Sequence, residues 1–197
     1  MKRLRGIALL CILAALWTGC ATTTQSHFYT LSPASKPAAV AAGNYSISVG
    51  PVTVPAAVDR PQIVVRVGPN QVYIDEFNRW ASPLQSDIAR VVAENLGSML
   101  GTPDVTVFPQ TTAAGASYRV VISVMRFESV PGEAATLDAV WTVRRAKEDQ
   151  SRTGRTTLSV PTQGGGYAPL VAALSLALEK LSGDVAVAIR TMEKNGK

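Results

Sequence analysis

Between residues 117 and 162 the chain alternates apolar and polar side chains three times in succession. "SYRVVISVMRFESV" is closed by Pro131-Gly132-Glu133, "AATLDAVWTVRRA" by "KEDQS", and "RTTLSVPT" completes the series. A period of two sends alternate side chains to opposite faces of a strand, and short turns force neighbouring strands to run antiparallel. An antiparallel meander is therefore expected. Its first strand places Tyr118, Val120, Ile122, Val124 and Arg126 on one face, and Val121, Ser123, Met125 and Phe127 on the other. Its second places Leu137, Ala139, Trp141 and Val143 opposite Asp138, Val140, Thr142 and Arg144. A sheet with one apolar face has to bury it under a second layer.

Two helical patterns supply that layer. Leu84, Ile88, Val91, Val92, Asn95, Leu96 and Met99 recur three or four apart, and Gly101 and Pro103 stop the run. Ser82 is expected to cap this helix, with Pro83 in its first position and Gln85 completing a capping box. After Gln163-Gly164-Gly165-Gly166, read as a hinge, a second helix is expected from Tyr167. It carries Leu170, Leu174, Leu178, Leu181, Val185, Ile189 and Met192 on one stripe. Upstream, 45–55 reads as a strand with a bulge at Gly50-Pro51. Residues 62–68 and 71–77 read as a hairpin turning at Pro69-Asn70, and the run from Asp104 as another strand. The fold class is α+β: a mostly antiparallel sheet with two long helices packed on one face.

The N-terminus sets the compartment. Lys2, Arg3 and Arg5 precede an apolar stretch, Ile7–Trp17, and then Thr18-Gly19-Cys20. These are the parts of a secretory signal. The stretch is about half the roughly 20 residues that a bilayer span needs. Small residues before Cys20 resemble a bacterial lipobox, with Trp17 at the position where that pattern prefers an aliphatic. Residues 1–19 are read as a lipoprotein signal peptide, Cys20 as the lipidated N-terminus, 20–43 as a flexible tether in which 28–31 could pair as an edge strand, and 44–197 as one periplasmic domain. By resemblance to the enterobacterial sorting rule, Ala21 after Cys20 favours the outer membrane. Without Lys2, Arg3 and Arg5 the 19 basic residues drop to 16 against 14 acidic ones. That balance gives no electrostatic footprint for nucleic acid.

Catalytic groupings are scarce. His27 is the single histidine and stands in the tether, with no Cys, His or acid cluster around it. There is no G-x-S-x-G, P-loop or H-E-x-x-H motif. Asp75 and Glu76 are neighbours, so on a strand they point to opposite faces and make a poor acid–base pair. Arg144, Arg145, Lys147 and Arg152 gather around one hairpin with Glu148 and Asp149 among them. They read as a solvated tip, or as a contact with anionic headgroups. No enzyme, no metal and no cofactor beyond the covalent lipid is expected.

"FYTLSP", "VGPVTVPAAVDRPQIVVRVGPNQVYIDEFNRWASPL", "YRVVISVMRFE", "LDAVWTV" and the Leu-rich terminal helix together resemble the PqiC family of ABC-type transport auxiliary lipoproteins. The resemblance spans almost the whole mature chain. It implies an accessory part of an MCE-type machine that moves lipids between the inner and outer membranes and supports envelope integrity. It also implies a periplasmic domain held at the inner leaflet of the outer membrane and docked on an MCE-domain protein. MCE assemblies are ring-like, so a matching homo-oligomeric ring is a reasonable expectation. The family carries no catalytic residues to transfer.

Within the resemblance, "VYIDEFNRWASPL" concentrates aromatic side chains where a strand hands over to a helix. Tyr73, Phe77 and Trp80 either lock a corner of the core or form a docking surface, since Trp, Tyr and Arg anchor interfaces. Asp59, Arg60 and Arg79 are polar residues that packing does not require, and are expected in ion pairs within the chain or across an interface. Two other functions fit the same chain: a lipid carrier with its own acyl-chain groove, and a structural envelope lipoprotein.

Overall fold

The computed structural model describes residues 24–34, 44–109, 115–146 and 150–195. The signal peptide, Cys20, the tether over 35–43 and the Lys147, Glu148 and Asp149 turn lie outside the described residues.

The strands are β1 (His27–Tyr29), β2 (Ile47–Thr53), β3 (Gln62–Gly68), β4 (Gln71–Trp80), β5 (Val105–Val107), β6 (Tyr118–Val130), β7 (Ala134–Arg145) and β8 (Gln150–Pro161). The helices are α1 (Leu84–Leu100) and α2 (Tyr167–Asn195). The strands form two sheets, one ordered β5-β2-β6-β7-β8 and a smaller one ordered β1-β4-β3. The expected meander is β6-β7-β8, antiparallel throughout. β2 joins it parallel to β6 and carries β5 parallel on its far side. The long pairings are antiparallel, and both helices cover one face of the larger sheet. The α+β architecture read from the sequence is the one observed.

Its core is the apolar stripe of each element brought face to face. Leu174, Leu178, Leu181, Val185 and Ile189 of α2 are buried, as are Leu137, Ala139 and Val143 of β7 and Tyr118, Val120 and Ile122 of β6. Burying one such aliphatic side chain stabilises by about 1.5–3 kcal/mol. Asn95 lies on the apolar stripe of α1 because its amide donates to Ser182 Oγ of α2 at 3.2 Å. That bond satisfies a polar contact between two buried residues. Gly154 of β8 faces Trp141 of β7 in register. A Cβ there would lie 2.2 Å from Trp141 Cζ2, so only glycine leaves room for the ring. The indole N–H donates to Thr156 Oγ1 at 3.1 Å, and Thr156 donates to Asp184 of α2 at 2.5 Å.

Local details depart from simple alternation. β6 carries a bulge between Val124 and Arg126 that leaves Met125 outward as expected but turns Arg126 outward and Phe127 inward, reversing the expected faces beyond Met125. An extra residue in one strand shifts every later side chain to the other face. The irregularity expected at Gly50-Pro51 is present, between Val49 and Val52, with Gly50 at φ 119°. α1 is not capped by Ser82. Pro83 is its N-cap, with a non-helical ψ of 128° and no side-chain cap. Gln85 donates to Asp59 Oδ2 at 2.9 Å instead of reaching back to Ser82. The left-handed Gly101 ends the helix as expected.

Of the segment 28–31 read as an edge strand inside the tether, Phe28 and Tyr29, with His27 ahead of them, pair parallel to β4. After it, residues 30–34 form a strap across the two helices. Leu31 is buried, and its N–H donates to Asp87 Oδ2 at 2.7 Å. Arg90 donates to the Leu31 carbonyl at 2.7 Å, Ser32 N–H to Ser175 Oγ at 3.1 Å, and Ala34 N–H to Asn95 Oδ1 at 2.7 Å. Helix side chains thus replace the sheet ladder that this backbone lacks. Ordered packing therefore begins ahead of residue 44.

Candidate functional site

β4 runs three residues further than the hairpin pattern suggests, to Trp80, and it is not regular. Ile63 pairs with Asp75 while Gln62 pairs with Arg79, so 76–78 bulge out of the ladder. Asp75 holds the bulge. Its Oδ1 accepts the N–H groups of Phe77 (2.8 Å) and Asn78 (2.9 Å), and its Oδ2 accepts the Tyr167 hydroxyl (2.7 Å). Burial alone would raise the Asp75 pKa. The hydrogen bonds from Tyr167, Phe77 and Asn78 outweigh it and hold the carboxyl below its ordinary value. Burial, followed by the bond to Asp75, pushes the Tyr167 hydroxyl up. Asp75 and Glu76 do not act as a pair: one builds the bulge, while the other accepts Gln62 Nε2 at 3.2 Å on the surface.

The bulge divides the three aromatics. Trp80 is 7% exposed and lies 6.4 Å, centroid to centroid, from Phe127. The Trp80 backbone N–H donates to the Pro61 carbonyl at 2.7 Å, and Ala81 N–H to the Tyr29 carbonyl at 2.8 Å. Tyr73 is 52% and Phe77 42% exposed, and Val67 and Val72 beside them on the hairpin are also open. The corner is thus locked by Trp80 and presents Tyr73 and Phe77 to solvent.

The charged residues separate in the same way. Asp59 is exposed and held by Gln85. Arg79 is half-buried, in register with Phe28 on one side and Gln62 on the other. Among the described residues neither Arg60 nor Arg79 forms an ion pair. Arg60 Nε is buried and has no acceptor among the described residues. An unmatched buried donor of this kind costs about 1–3 kcal/mol. Asp59, Arg60, Pro61, Trp80, Ser82, Pro83 and Leu84 line a pocket of about 360 Å³. Asp59, Arg60 and Trp80, singled out from the sequence, therefore share one cavity. Tyr73 and Phe77 lie outside its lining, as does Arg79.

Sequence reasoning missed Asp75 as the organiser of the bulge, the strap, and the set Asp87, Arg90, Asn95 and Ser175 that holds it. A signal existed for part of this: Asp87 and Asn95 are polar residues within the buried face of α1. A second groove, of about 510 Å³, runs between the strap and α2, with Phe28 and Leu176 exposed along it. His27 is exposed on β1, and no cluster of three potential metal ligands occurs among the described residues. No helix of the described residues is long and apolar enough to cross a membrane.

A family model described as "ABC-type transport auxiliary lipoprotein component" matches residues 29–186. No curated protein matches the chain. Among solved structures, protein XCC0632 from Xanthomonas campestris, of family DUF330, superposes with a TM-score of 0.70 at 18% identity, covering 87% of this chain and 100% of that one. A crystal structure of an uncharacterized protein superposes at 0.69 with 22% identity, covering 84% and 99%. At these identities the two likenesses speak to the fold.

Proposed function

This chain belongs to the ABC-type transport auxiliary lipoprotein components, and from that premise we propose that it is a non-enzymatic accessory subunit of an MCE-type intermembrane lipid transporter. The observation that carries the reading is the family match across the folded body, from β1 to within α2. The anchor is Cys20, lipidated at the end of the signal peptide. It holds the domain at the inner leaflet of the outer membrane. From there the domain docks on the periplasmic MCE-domain protein and helps to keep the envelope intact, acting by position rather than by chemistry.

The docking surface is the β4–α1 corner. Tyr73 and Phe77 project their aromatic area outward, and among the described residues Arg60 and Arg79 have no ion pair. Buried Trp80 and Asp75 fix the geometry beneath. Large aromatic and Arg side chains supply most of the energy at interfaces, and a rigid base lowers the ordering cost of docking. A homo-oligomeric ring matching the MCE assembly belongs to the same proposal.

The test is site-specific photocrosslinking in cells from positions 73 and 77, with outer-membrane permeability scored in parallel. The expected result is a crosslink to an MCE-domain protein, together with a permeability defect when the chain is deleted that Tyr73→Ala plus Phe77→Ala fails to rescue. Full rescue by that double variant at normal protein level would remove the corner from the mechanism. The groove beside Phe28 and Leu176 favours a second reading, a carrier that takes an acyl chain itself. Native mass spectrometry separates the two: a lipid-free oligomer fits the accessory subunit, and a monomer with stoichiometric phospholipid fits the carrier.

A further inference from the structure

α2 turns an unusual face to solvent. At about 100° per residue, Ala172, Leu176, Lys180, Val187, Arg190 and Lys194 fall within about 40° of one line along the helix. All six are exposed. The larger apolar members are well open, Leu176 at 42% and Val187 at 58%. Every charge on the line is basic. The acids of the helix lie to its sides, Glu179 by about 60° and Asp184 and Glu193 by about 80–100°. Asp184 accepts Thr156 and Glu193 accepts the Tyr118 hydroxyl, so two of these acids are engaged with the sheet. Phe28 shares a groove lining with Leu176 and is 65% exposed. Cys20 stands eight residues ahead of Phe28, no more than about 29 Å of fully extended chain.

We infer that this face of α2, together with Phe28, seats on an anionic bilayer surface, so that the domain lies on the leaflet with α2 along the membrane plane. The inference rests on the lipid anchor of the proposed function and adds the face that the anchored domain turns to the lipid. Charge argues for it: exposed apolar side chains flanked by basic ones alone are the pattern of an interfacial helix, and lysine stems reach along apolar surface to headgroups. Hydropathy argues for it as well. No helix of the described residues is long and apolar enough to cross a membrane, so α2 seats on the bilayer and does not span it. An acidic protein segment would match the basic residues equally. The short reach from Cys20 to Phe28 brings a lipid surface to this face first, and the apolar members then enter the boundary between headgroups and acyl chains.

The experiment expresses the full chain with its signal peptide, purifies it in detergent and reconstitutes it on vesicles of phosphatidylethanolamine and phosphatidylglycerol. An environment-sensitive fluorescent amino acid stands in place of Leu176, Val187 or, as control, Ser151. Ser151 is exposed and in register with Arg144, on the sheet face away from the helices. Emission from positions 176 and 187 is expected to rise several-fold on vesicles and to be quenched by nitroxide lipids labelled near the headgroup, with position 151 unchanged. Lys180→Gln and Lys194→Gln should each lower the ratio of seated to unseated chains by roughly fivefold, the effect of one lysine near an anionic surface. No rise at 176 and 187, an equal rise at 151, or an unaltered response when phosphatidylcholine replaces phosphatidylglycerol would each overturn the inference. A rise without vesicles that grows with protein concentration would overturn it in favour of a second copy, and a rise that needs a protein partner in favour of an acidic segment. Mass spectrometry of the same sample reads the anchor separately. An unlipidated Cys20 refutes the anchor, while the two fluorophores still decide whether the face seats on vesicles. Crosslinking from positions 73 and 77 reads docking independently of both.

Discussion

The helix-covered face of the large sheet and the β4–α1 corner use the same kinds of side chain and treat them differently. Under the helices the named polar groups find partners: Asn95 meets Ser182, and Trp141 meets Thr156, which meets Asp184. At the corner, Asp75 is satisfied three times over while Tyr73 and Phe77 face water. The first region is closed upon itself. The second is rigid below and leaves aromatic area open above.

The comparison breaks most visibly at its two buried anchors. Leu178→Ala and Trp80→Ala are each expected to cost about 3–5 kcal/mol, through lost burial and the cavity left behind. Urea unfolding followed by circular dichroism would measure both. A Trp80→Ala protein that keeps wild-type stability would move that ring from the core to the interface.

Gly154→Ala should come next, at about 1–3 kcal/mol, because its methyl group meets the Trp141 ring and the ring must shift. Loss of the near-ultraviolet signal of Trp141 would accompany it. Gly165→Ala, where an added Cβ meets nothing within 4 Å, serves as the control.

Acid sharpens the contrast in a different way. Asp138 is held down to about 2 by the Arg155 hydrogen bonds first and by Thr157 second. Asp75 is also depressed. Both carboxyls are lowered on folding, so their stabilisation is present above the unfolded value near 4 and is lost as pH falls through the folded value. The urea midpoint should therefore drop between about pH 4 and pH 2. Asp138→Asn should flatten that decline, and an unchanged slope would show that Arg155 contributes nothing at that site.

The smallest effect is expected at the exposed aromatics. Tyr73→Ala and Phe77→Ala should change stability by about 0.5 kcal/mol or less, as surface substitutions do. Their cost should appear in partner crosslinking instead. A large loss of stability at either position would mean that the corner is structural throughout.

Much of this molecule was legible beforehand where the cause is local. The α2 stripe from Leu170 to Met192, the β6-β7-β8 meander, the Gly101 stop and the β3–β4 hairpin all follow from periodicity and turn chemistry. Asp59, Arg60 and Trp80 stood out as out-of-place residue types, and the fold gathered them around one pocket. The errors fall where a local rule had a competitor. A capping box at Ser82 lost to Asp59, which claimed Gln85 from 26 residues away. Strict alternation in β6 lost to a bulge that brings Phe127 against Trp80.

By itself, then, the sequence determined the element types, their order, the apolar face of each helix and of the strands up to their bulges, and the class of the fold, because periods of two and 3.6 act through nearest neighbours along the chain. Tertiary structure alone decided that the strands divide into two sheets, that β2 runs parallel to β5 and β6, and that 30–34 lies as a strap across the helices. It also decided that Asp75 builds a bulge with Tyr167, 92 residues away. Each of these is a match between hydrogen-bonding groups far apart in sequence. Such matches are set by which backbone and side-chain groups would otherwise be buried unpaired, and no local pattern records that.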